Sequence, residues 1–172
     1  NFLDLPVNVG LSSGFQAGMK YADRQGYDCA IQFDADGQHR PEYIKPLLEA
    51  MEQSGADIVI GSRFVTKKKD VSARMAGSAL ISFLIRLTTG KRLSDPTPGM
   101  RMYNRRAMAE FVKRYDFGPE PDTLANLIRK GCKVVEVQVE MRDRETGESD
   151  LSFSKSVMYV ARAFVSVRIV QW

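Results

Sequence analysis

An apolar run, Cys29-Ala30-Ile31-Gln32-Phe33, stops on two aspartates, Asp34 and Asp36, and then Gly37. Its length and polar borders predict a buried strand. A helical pattern follows from Pro41 to near Gly55, with Tyr43, Leu47, Ala50 and Met51 inward and Pro46 marking a bend or restart. Ala56 to Ile60 is a second apolar run, and it delivers Gly61-Ser62-Arg63. Strand, helix, strand is the unit of a parallel sheet in α/β folds. In such sheets ligands bind beyond the carboxyl ends of the strands. This chain places acids after one strand and an arginine after the next.

Paired aspartates at a strand end offer hard oxygen ligands, suited to Mg²⁺ or Mn²⁺ that share oxygens with a substrate phosphate. Asp and Gly also favour ordinary turns and caps, so the pair alone is a weak signal. A calcium-binding EF-hand loop does not fit: Gly37 comes too early, and the twelfth position is Lys45 where a glutamate is needed. The lone His39 reads as a solvent-facing residue.

The rest of the chain continues the alternation. Asn8 to Gly14 is a small-residue loop entering a helix over Ser13 to Gln25, capped by Ser12 or Ser13, with Phe15, Met19 and Ala22 on one face. Lys67-Lys68-Lys69-Asp70 is a solvated loop. Ser72 to Thr89 is a long helix with Met75, Leu80, Phe83, Leu84 and Leu87 predicted inward, and with Arg74 and Ser78 four apart on a shared face. A turn-rich loop, Ser94 to Gly99, enters a strand at Met100 to Tyr103; helices follow at Arg105 to Arg114 and Asp122 to Lys130. Lys133 to Met141 is a final strand, and Arg142 to Ser149 a charged loop. Leu151 to Trp172 reads as an amphipathic helix, separate from a domain over 1–150, able to pack on that domain or lie at a membrane interface.

At 172 residues with 44% hydrophobic and 27% charged content, the chain is one ordinary globular domain. Its +4 net charge suits a phosphate ligand or a membrane surface. The basic residues are dispersed without a recognition motif, so no nucleic-acid partner is expected. Two distant cysteines, Cys29 and Cys132, fit a reduced, intracellular protein. No apolar run is long enough to span a bilayer, and the opening Asn1-Phe2-Leu3-Asp4 is no signal peptide.

The clusters are individually weak, but their order is specific: Asn8-x-Gly10, Asp34-x-Asp36-x-Gln38, Gly61-Ser62-Arg63, Arg74 with Ser78, Asp95-Pro96-Thr97-Pro98-Gly99-Met100-Arg101, and Arg144-x-x-Gly147-x-Ser149. This series resembles the family 2 glycosyltransferases, in the branch similar to dolichol-phosphate mannosyltransferase, over nearly the whole chain. The resemblance implies a GT-A fold: a mixed, mostly parallel sheet with helices on both faces. It implies transfer of a sugar from a nucleotide-diphosphate donor to a polyprenyl phosphate or a polysaccharide, with inversion. Asp34, Asp36 and Gln38 would hold Mg²⁺ or Mn²⁺ on the donor diphosphate. Asn8, Gly10, Arg63, Arg74, Ser78, Arg144 and Ser149 would meet donor or acceptor phosphates, the last two from a loop that closes over substrate. Asp95 would be a general base if the acceptor is a hydroxyl, or orient groups if it is a lipid phosphate. Arg101 and Glu120 would lie on the acceptor side. The expected location is cytoplasmic, peripheral to the inner face of the cell membrane.

Two departures stand out. Pro98 replaces a small polar residue, which bears on the local loop shape. The family's opening strand, ending Pro-x-Tyr-Asn-Glu, and a second strand ending in Asp are not found here, so the first βαβ unit that grips base and ribose is expected upstream. A sheet edge exposed by its absence would favour self-association. Two other readings stay open: a nucleotidyltransferase that makes the nucleotide sugar, and a catalytically silent module for binding or oligomerisation.

Overall fold

A computed structural model describes residues 2–66, 73–115 and 117–142, and of residues 73–77 the backbone alone. The elements run α1 (Gly10–Arg24), β1 (Cys29–Gln32), a 3₁₀ turn (Pro41–Tyr43), α2 (Ile44–Ser54), β2 (Ile58–Ser62), α3 (Ala73–Thr89), β3 (Arg101–Asn104), α4 (Arg105–Lys113), α5 (Pro121–Arg129) and β4 (Val134–Gln138). The four strands form one mixed sheet in the order β1-β3-β2-β4. β3 runs antiparallel to both β1 and β2, and β4 pairs parallel with β2. Three strands therefore point one way, and β3 is inserted between the two that the strand–helix–strand pattern would place side by side.

The pleat divides the core. On one face Ile58, Ile60, Tyr103 and Val134 meet α1, α3, α4 and α5 through Met19, Ile85, Met108, Phe111 and Leu124. On the other, Val59, Met102 and Val139 meet Leu47 and Met51 of α2. Helices thus cover both faces, as a parallel-type sheet requires. Pro41 starts the 3₁₀ turn, Pro46 sits in the first turn of α2, and Gly55 ends it in the left-handed conformation at φ 62°.

Four expectations need correction. β1 is partly rather than fully buried, because it lies at the described edge of the sheet with Phe33 36% exposed. α1 begins at Gly10, not at Ser13, because Asn8 Oδ1 accepts the Gly10 N–H at 2.9 Å and turns the chain into the helix earlier. On α3, Leu80, Phe83 and Leu87 are exposed, while Ser78, Ile81 and Ile85 face the core. His39 is buried at 7% exposure, with Nδ1 accepting the Asp34 N–H at 2.8 Å.

Candidate active site

The carboxyl ends of β1 and β2 carry the two charged clusters. Past β1, Asp36 Oδ1 accepts the Gln38 N–H at 3.1 Å across Gly37, whose φ of 78° closes the turn. His39 folds back beneath it against the edge of Phe33. Because Nδ1 accepts the Asp34 N–H, the ring carries its proton on Nε2, 3.9 Å from Asp34 Oδ2. Burial pushes the His39 pKa down, against the opposing pull of Asp34 and Asp36. The Asp34 side chain stays 42% exposed above this support.

Past β2, Arg63 lays its guanidinium along Asp95: Nε donates to Oδ2 at 2.8 Å and Nη2 to Oδ1 at 3.3 Å. Thr97 Oγ1 also donates to Asp95 Oδ1, at 3.1 Å. Asp95 is fully buried, whereas the Arg63 side chain remains 34% exposed. The loop that holds Arg63 also approaches Asp34. A Cβ built on Gly99 would collide with Asp34 Oδ2 and lie 2.9 Å from His39 Cε1. One loop, 95–99, therefore joins the acid after β1 to the arginine after β2. Gln38 supplies a further link, because its carbonyl accepts the Arg142 N–H at 3.0 Å. Arg142 is thus tied to the turn that carries Asp36.

Other predicted site residues sit differently. Asn8 and Gly10 form the turn that opens α1. Arg101 is buried, donating from Nη1 to the Pro119 carbonyl and from Nη2 to the Pro96 carbonyl, both at 2.8 Å. It clamps the 95–99 loop to the α5 entry. Glu120 accepts a hydrogen bond from Ser12 of α1. Ser78 lies on the inward stripe of α3, its Oγ buried with no hydrogen-bond partner among the described residues. The Arg74 side chain, Arg144, Ser149 and the Leu151 to Trp172 segment lie outside the described residues. Two residues escaped the sequence reading: Glu136 accepts the Ser94 and Asp95 N–H groups, and Gln138 bonds the backbone of Arg63 and Thr66. Both sit on β4 among valines whose spacing signals a strand and carries no sign of these polar contacts.

Among the described residues no three His, Cys, Asp or Glu side chains converge as a finished metal cage. Asp34, Asp36 and the Gln38 amide oxygen are nonetheless the hard oxygen set that Mg²⁺ or Mn²⁺ takes, and Asp34 is accessible. Three such donors would leave most of the ion's ligands to a diphosphate and water. The two cysteines offer no competing chemistry: burial chiefly pushes both thiols up, helped by nearby acids.

A mixed α/β sheet with acids and an arginine at its carboxyl edge defines a class, and comparison with known proteins gives its family. Residues 1–112 match glycosyl transferase family 2, and the chain belongs to that family. It is 35% identical over 150 residues to an undecaprenyl-phosphate mannosyltransferase of Micrococcus luteus, covering 83% of this chain and 61% of that protein. It is 34% identical over 155 residues to a polyprenol monophosphomannose synthase of Mycolicibacterium smegmatis, covering 85% of this chain and 57% of the relative. An undecaprenyl-phosphate 4-deoxy-4-formamido-L-arabinose transferase of Proteus mirabilis is 34% identical over 153 residues, 87% of this chain and 44% of its own. The chain thus spans about half of the length of these relatives.

Proposed function

We propose that the protein carrying this chain transfers a hexose from a nucleotide-diphosphate donor to a polyprenyl phosphate, with inversion at the anomeric carbon. The observation that carries this reading is the 95–99 loop, which touches Asp34 through Gly99 and holds Arg63 through Asp95. The relatives' names, each of which includes undecaprenyl phosphate or a polyprenol, favour a lipid acceptor over a saccharide. Family membership displaces the nucleotidyltransferase reading.

Each group has a task in that reaction. An acceptor phosphate oxygen attacks the anomeric carbon from the face opposite the donor diphosphate. The glycosidic C–O bond breaks, and its electron pair leaves on the nucleotide diphosphate. The acceptor is already an anion, so no proton need be removed. Asp95, fully buried against Arg63 and Thr97, accordingly orients the arginine rather than acting as a base. Arg63 turns its exposed edge to the donor diphosphate, where a planar fork grips two oxygens. Asp34, Asp36 and Gln38 would hold Mg²⁺ or Mn²⁺, which supplies positive charge to the departing diphosphate.

No helix among the described residues is long and apolar enough to cross a membrane. We assign membrane contact to the Leu151 to Trp172 segment, amphipathic in sequence, as a peripheral contact at the cytoplasmic face. Full-length protein should move radiolabel from GDP-mannose or another nucleotide sugar into solvent-extractable undecaprenyl phosphate, and chelation should stop it. Label released only as free sugar, or moved equally well under chelation, would defeat the proposal. Flotation with anionic vesicles tests the membrane contact, which should weaken with salt and on deletion of 151–172.

A further inference from the structure

Strand β4 does more than complete the sheet. Val134 packs in the core, but the next residues on the same face, Glu136 and Gln138, are polar and lie opposite Ile60 and Ser62 of β2. The Glu136 carboxylate accepts two adjacent backbone donors, Ser94 N–H at 2.7 Å on Oε2 and Asp95 N–H at 2.8 Å on Oε1. That grip fixes the residue whose own carboxylate lies along Arg63. Gln138 reaches the same arginine from its main chain: Nε2 donates to the Arg63 carbonyl at 3.0 Å, while Oε1 accepts the Thr66 N–H at 2.9 Å and the Thr66 hydroxyl at 3.2 Å. Arg63 is thus held at its head by Asp95, which Glu136 holds in turn, and at its backbone by Gln138.

We propose that Glu136 and Gln138 are positioning residues for Arg63, which set the guanidinium at the angle the donor diphosphate requires. This rests on reading Arg63 as a phosphate-binding group. Physically, a surface arginine has many rotamers, and freezing them before the ligand arrives removes an ordering cost from binding. Two carboxylates in series would repel if they met head to head. Here the Asp95 backbone separates them, so Glu136 spends its charge on amide donors and Asp95 keeps its own for the arginine.

The test is a double-mutant cycle in the full-length protein, read by calorimetric titration with GDP and with UDP, each in Mg²⁺. Glu136→Gln keeps shape but presents an NH₂ to one of the two N–H groups it must accept. It should weaken nucleotide binding about 10-fold, the lower end of the usual effect of removing an outer supporting partner. Arg63→Ala should weaken it further, and the double variant should bind no worse than Arg63→Ala alone. Gln138→Met should behave in the same way, and it decides the matter if Glu136→Gln does not fold. Losses that multiply in the double variants would overturn the proposal, since a purely structural role adds to the loss of Arg63. So would unchanged binding in both β4 variants while Arg63→Ala binds poorly. Unchanged binding in Arg63→Ala would instead overturn the assignment of Arg63 to the diphosphate, and the inference with it.

Discussion

At the scale of single residues, the site depends on an absent atom. Gly99 has no Cβ, and the space one would fill is occupied by the Asp34 carboxylate and the His39 ring. Gly99→Ala should therefore push Asp34 aside while the rest of the domain folds. The expected result is at least about 10-fold weaker Mn²⁺ binding in the presence of nucleotide diphosphate, as for loss of a ligand's support. Electron paramagnetic resonance of free Mn²⁺ checks it; unaltered affinity would separate Gly99 from the metal site. Arg101 makes the opposite case, a charged residue placed for structure. Replacing it by Met would strand the Pro96 and Pro119 carbonyls and should cost roughly 2–5 kcal/mol. An unmoved urea midpoint would show that the clamp carries no stability.

At the scale of elements, α3 shows what periodicity can and cannot decide. Its sequence is apolar on more than one side, so the stripe through Leu80, Phe83 and Leu87 and the one through Ile81 and Ile85 both satisfy a helical repeat. Burial chose the second. Ile81→Ala or Ile85→Ala should cost about 2–5 kcal/mol, whereas Leu80→Gln and Phe83→Gln should each stay within about 0.5 kcal/mol. Thermal melts of the four variants check this, and equal losses would reverse the assignment. Helix α4 offers a pH test. Glu110 accepts from Lys113 of its own helix and from Lys130 at the end of α5, and these hydrogen bonds hold its carboxyl below the usual range. A depressed folded pKa contributes stability above the unfolded value, about 4.3, and loses it as pH falls through the folded one. The gap in stability between the parent and Glu110→Gln should be open at pH 7 and closed in acid. A gap of the same size at both would break the linkage.

The elements legible in advance were those with local causes. β1, α2 and β2 follow from two apolar runs around an amphipathic stretch, and Gly55 ends its helix as expected. The aspartates, Arg63 and Asp95 were legible as strand-end residues of a motif series. Contacts across the chain were not. His39, Glu136 and Gln138 gain their places from partners that spacing does not reveal, and Arg63 with Asp95 is a pair 32 positions apart. Asn8 turns the chain into α1 through its Oδ1, a local contact that its short side chain makes without excluding a ligand.

At the scale of the whole molecule, β3 comes late and stands in the middle. β1 and β2 are each hydrogen-bonded to it and not to one another. Until residues 101–104 arrive, neither earlier strand has its antiparallel neighbour, and all of α3 must be made in between. Long-range closures of this kind slow folding and leave apolar strands waiting. The wait has a chemical side as well. Asp34 and Arg63 are both made before the 95–99 loop that joins them, and that loop immediately precedes β3. Joining β1 to β2 through β3 and closing the 95–99 loop over Asp34 and Arg63 are therefore a single event. A chain that ends short of Asn104 carries Asp34, Asp36, Arg63 and Asp95 but lacks the strand that brings them together, and the β4 residues that steady Asp95 and Arg63 are still to come.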